Sequence, residues 1–148
     1  MPNVITTHII PAHIDKVWAL VRRFNGHKNW HPAVSISQIE KGSAEDQIGC
    51  IRSFKLSSGE ELRERLLTLS DAETMFRYSL IETPIPLFNY IAELRLIPVT
   101  VQNHCFVHWS ARFQTPEDKA EELVKLVRDG VQRAGIQAIE KEIVAHVD

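Results

Sequence analysis

Between Val34 and Phe113 the chain offers six successive strand-like segments, and it then closes with one long stretch of helical period. The segments are Val34–Glu40, Ile48–Lys55, Leu62–Leu69, Met75–Ile81, Phe88–Ile97 and His104–Phe113, most of them separated by Gly, Pro, Ser or Asp. Ahead of them Val4–Ile10 reads as a first strand ending at Pro11, and Ile14, Val17, Trp18 and Val21 follow helical spacing up to Asn25-Gly26. His27 to Pro32 forms a polar, aromatic linker. The order strand, helix, six strands, long helix predicts an α+β fold with an antiparallel sheet. No internal repeat or low-complexity segment interrupts it, and residues 1–148 are read as a single domain.

The last helix is announced by Thr115, a capping residue, then Pro116 at the first helical position and the acidic Glu117 and Asp118. Leu123, Val127, Val131, Ala134 and Ala138 form its apolar stripe, which continues to about Val144. Gly130 and Gly135 lie inside it, at about 1 kcal/mol each relative to alanine, so each calls for a packing reason: close approach to a sheet, or room for a ligand.

Alternate residues of a strand share a face. The inward sets are therefore Phe76, Tyr78 and Leu80; Phe88, Tyr90, Ala92, Leu94 and Leu96; and Cys105, Val107, Trp109, Ala111 and Phe113. In the fourth strand Leu62, Glu64, Leu66 and Thr68 point inward, because the other set carries Arg63 and Arg65. One inward set is anomalous: Ile48, Cys50, Phe54 and Leu56 share their face with Arg52. A guanidinium among apolar neighbours must be paired, hydrated or matched to an anion. A hairpin around Ser57-Ser58-Gly59-Glu60 brings Arg52 beside Glu64. Such a buried pair adds little net stability, although removing one partner costs about 3–5 kcal/mol. The inner face thus combines rings with a few polar groups, as small-molecule pockets do; an ordinary core with one structural ion pair is the competing reading.

Composition excludes several classes. Seventeen Lys and Arg against nineteen Asp and Glu give a formal charge of -2 with no basic run longer than a pair, so neither nucleic acid nor an anionic membrane is an expected partner. The first residues lack a basic and then apolar leader, and no stretch approaches the length of a membrane span, so a cytoplasmic location is expected. Cys50 and Cys105 read as small buried hydrophobes. His27 and His31 are four apart but no third ligand accompanies them, so no metal is expected, and neither is a cofactor. His104 and His108 fall on an outer face, as do Glu93 and Arg95, which are placed to pair across the sheet.

The order of elements, V-W-A-L-V-R-R-F (Val17 to Phe24), I-G-C-I-R (Ile48 to Arg52), E-R-L (Glu64 to Leu66) and N-Y (Asn89, Tyr90) resemble the START-like, helix-grip superfamily (SRPBCC). Within it the chain resembles the bacterial polyketide cyclase/dehydrase family 2 group and, more distantly, the plant abscisic acid receptors. The resemblance covers nearly the whole chain. It implies a seven-stranded antiparallel sheet curled around the long C-terminal helix, with a ligand cavity between them. Carried over residue by residue, the receptor pattern puts Phe54, Leu56, Glu64, Tyr78, Leu80, Tyr90, Ala92, Trp109, Val127 and Val131 on the cavity wall. Ser35 stands where those receptors have the lysine for the hormone carboxylate. The gate segment Ser57 to Glu60 is shorter, and Pro84-Ile85-Pro86-Leu87 lacks the latch His-Arg pair, so abscisic acid sensing is not expected.

The resulting expectation is a carrier or sensor, monomeric or homodimeric, that binds a small hydrophobic ligand, with Arg52 meeting an oxygen or carboxylate and Glu64 holding Arg52. The alternatives are a cyclase, dehydratase or isomerase using Glu64 as acid or base, although no catalytic residue is assigned, and an accessory protein acting through its surface.

Overall fold

The computed structural model describes residues 1–145. Its strands are β1 (Asn3–Ile10), β2 (Val34–Ile39), β3 (Ile51–Leu56), β4 (Glu61–Ser70), β5 (Met75–Glu82), β6 (Phe88–Val99) and β7 (His104–Gln114). They form one open antiparallel sheet in the order β1-β7-β6-β5-β4-β3-β2. Helix α1 (Ile14–Val21) and a 3-10 turn, Phe24–Asn29, separate β1 from β2. A C-terminal helix of 29 residues completes an α+β helix-grip fold. It comprises a 3-10 turn (Glu117–Lys119), α2 (Ala120–Lys125), a π-helical stretch (Leu126–Arg133) and α3 (Ala134–Ala145).

Helix α1 forms because Val17, Trp18 and Val21 recur on one buried face, and the His13 ring caps it by accepting from the Asp15 N–H. Trp18 is amphipathic in use: its ring is buried while its Nε1 donates to Asp71 Oδ1 at 2.8 Å, which pins α1 to the turn between β4 and β5. The core lies between the inner face of the sheet and the C-terminal helix, with Ile10, Leu66, Leu94, Val107, Phe113 and Ile139 all fully buried. The β7 set Cys105, Val107, Trp109, Ala111 and Phe113 is inward as alternation requires, and both cysteines are buried free thiols.

Simple alternation fails at four places, each for a local reason. Ile48 is exposed rather than inward, because Gly49 takes a left-handed φ of 92° and β3 starts only at Ile51. Phe88 is also exposed: Asn89 has φ 52° and the register slips between Phe88 and Ile91, which reverses parity before Tyr90. A second irregularity between Leu66 and Thr68 puts Leu69, not Thr68, opposite Phe76 and against the core. In the C-terminal helix the π turn adds a residue, so beyond Val131 the buried stripe runs through Gln132, Ile136, Ile139 and Ile143 instead of Ala134 and Ala138. Thr115 does not cap that helix; Pro116 occupies the capping position without a side-chain bond.

The two helix glycines separate into the two cases. At Gly135 a Cβ would lie 2.6 Å from Trp109 Cζ3 and 3.0 Å from His31 Cδ2, so the helix touches the sheet there. Gly130 borders open space described next, with Leu126 Cδ1 3.3 Å from where its Cβ would stand.

A chamber between the sheet and the C-terminal helix

The inner face of β3 to β7, the 3-10 turn at Phe24–Asn29 and the π stretch line a chamber of about 630 Å³ that is partly open to solvent. Arg52, Phe54 and Leu56 of β3, Glu64 of β4, Tyr78 and Leu80 of β5, Tyr90 of β6, Trp109 of β7, and Val127 and Val131 of the helix all border it. Ala92 does not: it is buried within the sheet between Tyr78 and Ala111, and the larger rings beside it form the wall. Exposed lining residues Ser57, Ser58, Lys119 and Glu122 mark where the chamber meets solvent.

Arg52 and Glu64 are directly opposite in the β3–β4 ladder, which is why the hairpin brings them together. Arg52 Nε donates to Glu64 Oε1 at 2.8 Å, and its Nη2 lies 2.6 Å from the same oxygen. Its Nη1 donates to the Phe24 carbonyl at 2.6 Å, and its Cζ lies 4.0 Å from the Phe24 ring centroid. All three guanidinium nitrogens are thus already engaged by protein. Burial pushes the Glu64 carboxyl up, and Arg52 opposes that shift. Trp109 Nε1 donates to the Tyr78 hydroxyl at 3.2 Å, and burial pushes both the Tyr78 and Tyr90 phenols up, so both remain neutral.

The segment read from sequence as a polar linker contributes the least expected part of the wall. His27, Trp30 and His31 all line the chamber. His31 is satisfied: its Nε2–H donates to the Val131 carbonyl at 3.0 Å, and its Nδ1 accepts from the Ala33 N–H at 3.1 Å. It thereby satisfies a carbonyl of the π stretch. His27 is different. It is 6% exposed, yet among the described residues neither ring nitrogen has a hydrogen-bond partner, and the buried Trp30 Nε1 has none either. Burial first, then the charge of Arg52, holds the His27 pKa well below the ordinary imidazole value; burial also lowers His31, against its bond to Val131. Ser35, by contrast, is exposed, and its hydroxyl donates to the Lys55 carbonyl.

On the outer face, Glu93 pairs with Arg77 across the strands and with Arg95 along its own, each at 2.8 Å. No group of three or more His, Cys, Asp or Glu among the described residues is placed to hold a metal, and no helix among them is long and apolar enough to cross a membrane.

An open seven-stranded sheet gripping one long helix over a ring-lined chamber defines the helix-grip class of proteins. The chain belongs to the family described as polyketide cyclase / dehydrase and lipid transport, whose model matches residues 1–144. It is 32% identical over 92 residues to abscisic acid receptor PYL7 of Arabidopsis thaliana; that match takes in 60% of this chain and 42% of the receptor, so it spans less than half of that relative. A solution structure from Thermobifida fusca superposes with a TM-score of 0.86 at 30% identity, covering 98% of this chain and 95% of the other. Norcoclaurine synthase of Thalictrum flavum, in complex with dopamine and hydroxybenzaldehyde, shares the fold alone: 16% identity, a TM-score of 0.78, and coverage of 99% and 88%.

Proposed function

We propose that this protein binds a small, largely apolar molecule in the chamber, as a carrier or sensor. The observation that carries this reading is a space of about 630 Å³ walled by Phe54, Tyr78, Tyr90 and Trp109 where a folding domain would otherwise close-pack its core. The family's description, which includes lipid transport, supports it. Ser35 in place of a lysine argues against a carboxylate hormone. The test is native mass spectrometry and solvent extraction of the purified chain, followed by thermal shift against a hydrophobic library. A co-purifying apolar metabolite or a saturable shift is expected; an empty protein with no shift from any compound removes the reading.

A second reading is enzymatic, and the raised pKa of Glu64 at the chamber wall beside Tyr78 favours it. Turnover of a poly-β-keto or enone substrate that Glu64→Gln abolishes, with ligand binding intact, would put it ahead of the carrier reading.

A further inference from the structure

We infer that the wall formed by His27 and Trp30 is a recognition site for a hydroxyl group on a neutral, otherwise apolar ligand. This rests on the chamber being a binding site and adds what the ligand must carry. Three observations converge on it.

The first is placement. His27 lies in the 3-10 turn and Trp30 is the residue that closes it, its N–H donating to the His27 carbonyl at 3.2 Å, so the two stand three apart across the end of that turn. Both side chains face the chamber. The second is unmet bonding capacity. The described residues offer no partner to either His27 nitrogen or to Trp30 Nε1, three buried polar atoms grouped on one wall. Leaving such atoms unpaired is costly, and native proteins seldom do so without a reason. A neutral imidazole has one donor and one acceptor, and an indole has one donor. A ligand hydroxyl supplies both complements, an acceptor for Trp30 Nε1–H and a donor for the imidazole lone pair.

The third observation is charge. Arg23, Arg52 and Lys119 on the lining are matched by Glu60, Glu64 and Glu122, and the buried cation, Arg52, is held by Glu64 and the Phe24 carbonyl. A carboxylate carried to the buried wall would be desolvated where the buried cation, Arg52, is already engaged, since Lys119 lies at the exposed rim. The polar contact expected of Arg52 therefore falls to His27 and Trp30.

The test compares four probes of one ring system by calorimetry at pH 7 on the full chain: 2-naphthol, 2-methoxynaphthalene, naphthalene and 2-naphthoate. 2-Naphthol should bind most tightly. 2-Methoxynaphthalene, which accepts but cannot donate, and naphthalene should each bind about tenfold or more weakly, and 2-naphthoate weakest of all. His27→Phe and Trp30→Phe keep the rings and remove the polar atoms; each should erase most of the 2-naphthol advantage while naphthalene affinity persists, which also certifies that the chamber has folded. Equal affinity for 2-naphthol and naphthalene, a preference for 2-naphthoate, or an undiminished 2-naphthol advantage in both variants overturns the inference while leaving the chamber a binding site. Failure of all four probes on wild-type protein, with an empty extract, overturns the binding reading itself. The probe ranking on wild-type protein stands whether or not the variants fold.

Discussion

Replacing Arg52 by leucine strands Glu64 in a site where that residue is 7% exposed, and the expected cost is about 3–5 kcal/mol at neutral pH. The same change also leaves the Phe24 carbonyl without its donor, a loss of about 1–3 kcal/mol that a second substitution at Glu64 cannot restore. Arg52→Leu combined with Glu64→Leu strands no charge, so its deficit should shrink to roughly that carbonyl's share, making the double variant about 2 kcal/mol more stable than Arg52→Leu alone. A double-mutant cycle by urea unfolding measures this. The pH dependence gives an independent check. Glu64 has a folded-state pKa raised above its unfolded value, so its favourable contribution is fully present below the unfolded pKa and is lost as pH rises through the folded one. Without Arg52 to oppose it, that shift grows, and Arg52→Leu should recover stability relative to wild type as pH falls from 8 to 5. Binding of 2-naphthol should survive in the double variant. Additive single effects, or an Arg52→Leu deficit independent of pH, would refute this account of the pair.

Gly135→Ala gains about 1 kcal/mol of helix propensity but drives a methyl group to 2.6 Å from Trp109 Cζ3; with a rigid indole as the obstacle, a net loss of about 1–2 kcal/mol is expected in thermal melts. Gln132→Leu removes the fully buried amide that donates to the Val4 carbonyl at 3.0 Å and accepts from Thr6 Oγ1 at 2.6 Å; a loss of about 2–3 kcal/mol and faster amide exchange in β1 should follow. His27 and His31 have lowered pKa values, so the stability they contribute is present above the unfolded imidazole pKa and is lost as pH falls towards the folded values. Between pH 7.5 and 5.5 wild-type stability should therefore drop, and His27→Phe should flatten that slope in urea unfolding measured across the range.

Arg52 and Glu64 were legible as a pair because a short turn fixes the register of β3 on β4, and register then fixes which side chains face each other. The inward rings of β7 were legible for the same reason: that strand runs without a bulge beneath Trp109. Phe88 and Thr68 were misplaced because one left-handed Asn89 and one irregularity near Leu67 reverse parity without changing composition. The shifted helix stripe has a similar cause, since a π turn inserts one residue into a pattern of unaltered hydrophobicity. His27 and Trp30 escaped because their segment looks solvated. The spacing of three between a histidine and a tryptophan, after Gly26 and before Pro32, was the available signal, and only a 3-10 turn gives it meaning.

Three indole N–H groups provide the most direct measurement. Trp18 Nε1 is bonded to Asp71 away from the chamber, Trp109 Nε1 to Tyr78 on its wall, and Trp30 Nε1, on the same wall, has no partner among the described residues. In a nitrogen-15 correlation spectrum titrated with 2-naphthol, the Trp30 indole signal should move furthest downfield, that of Trp109 should respond with the same saturation, and that of Trp18 should stay fixed. A Trp18 signal that moves with the others, or a Trp109 signal indifferent to saturating 2-naphthol, would contradict binding in the chamber, and a Trp30 signal that stays fixed while Trp109 saturates would contradict the hydroxyl contact alone.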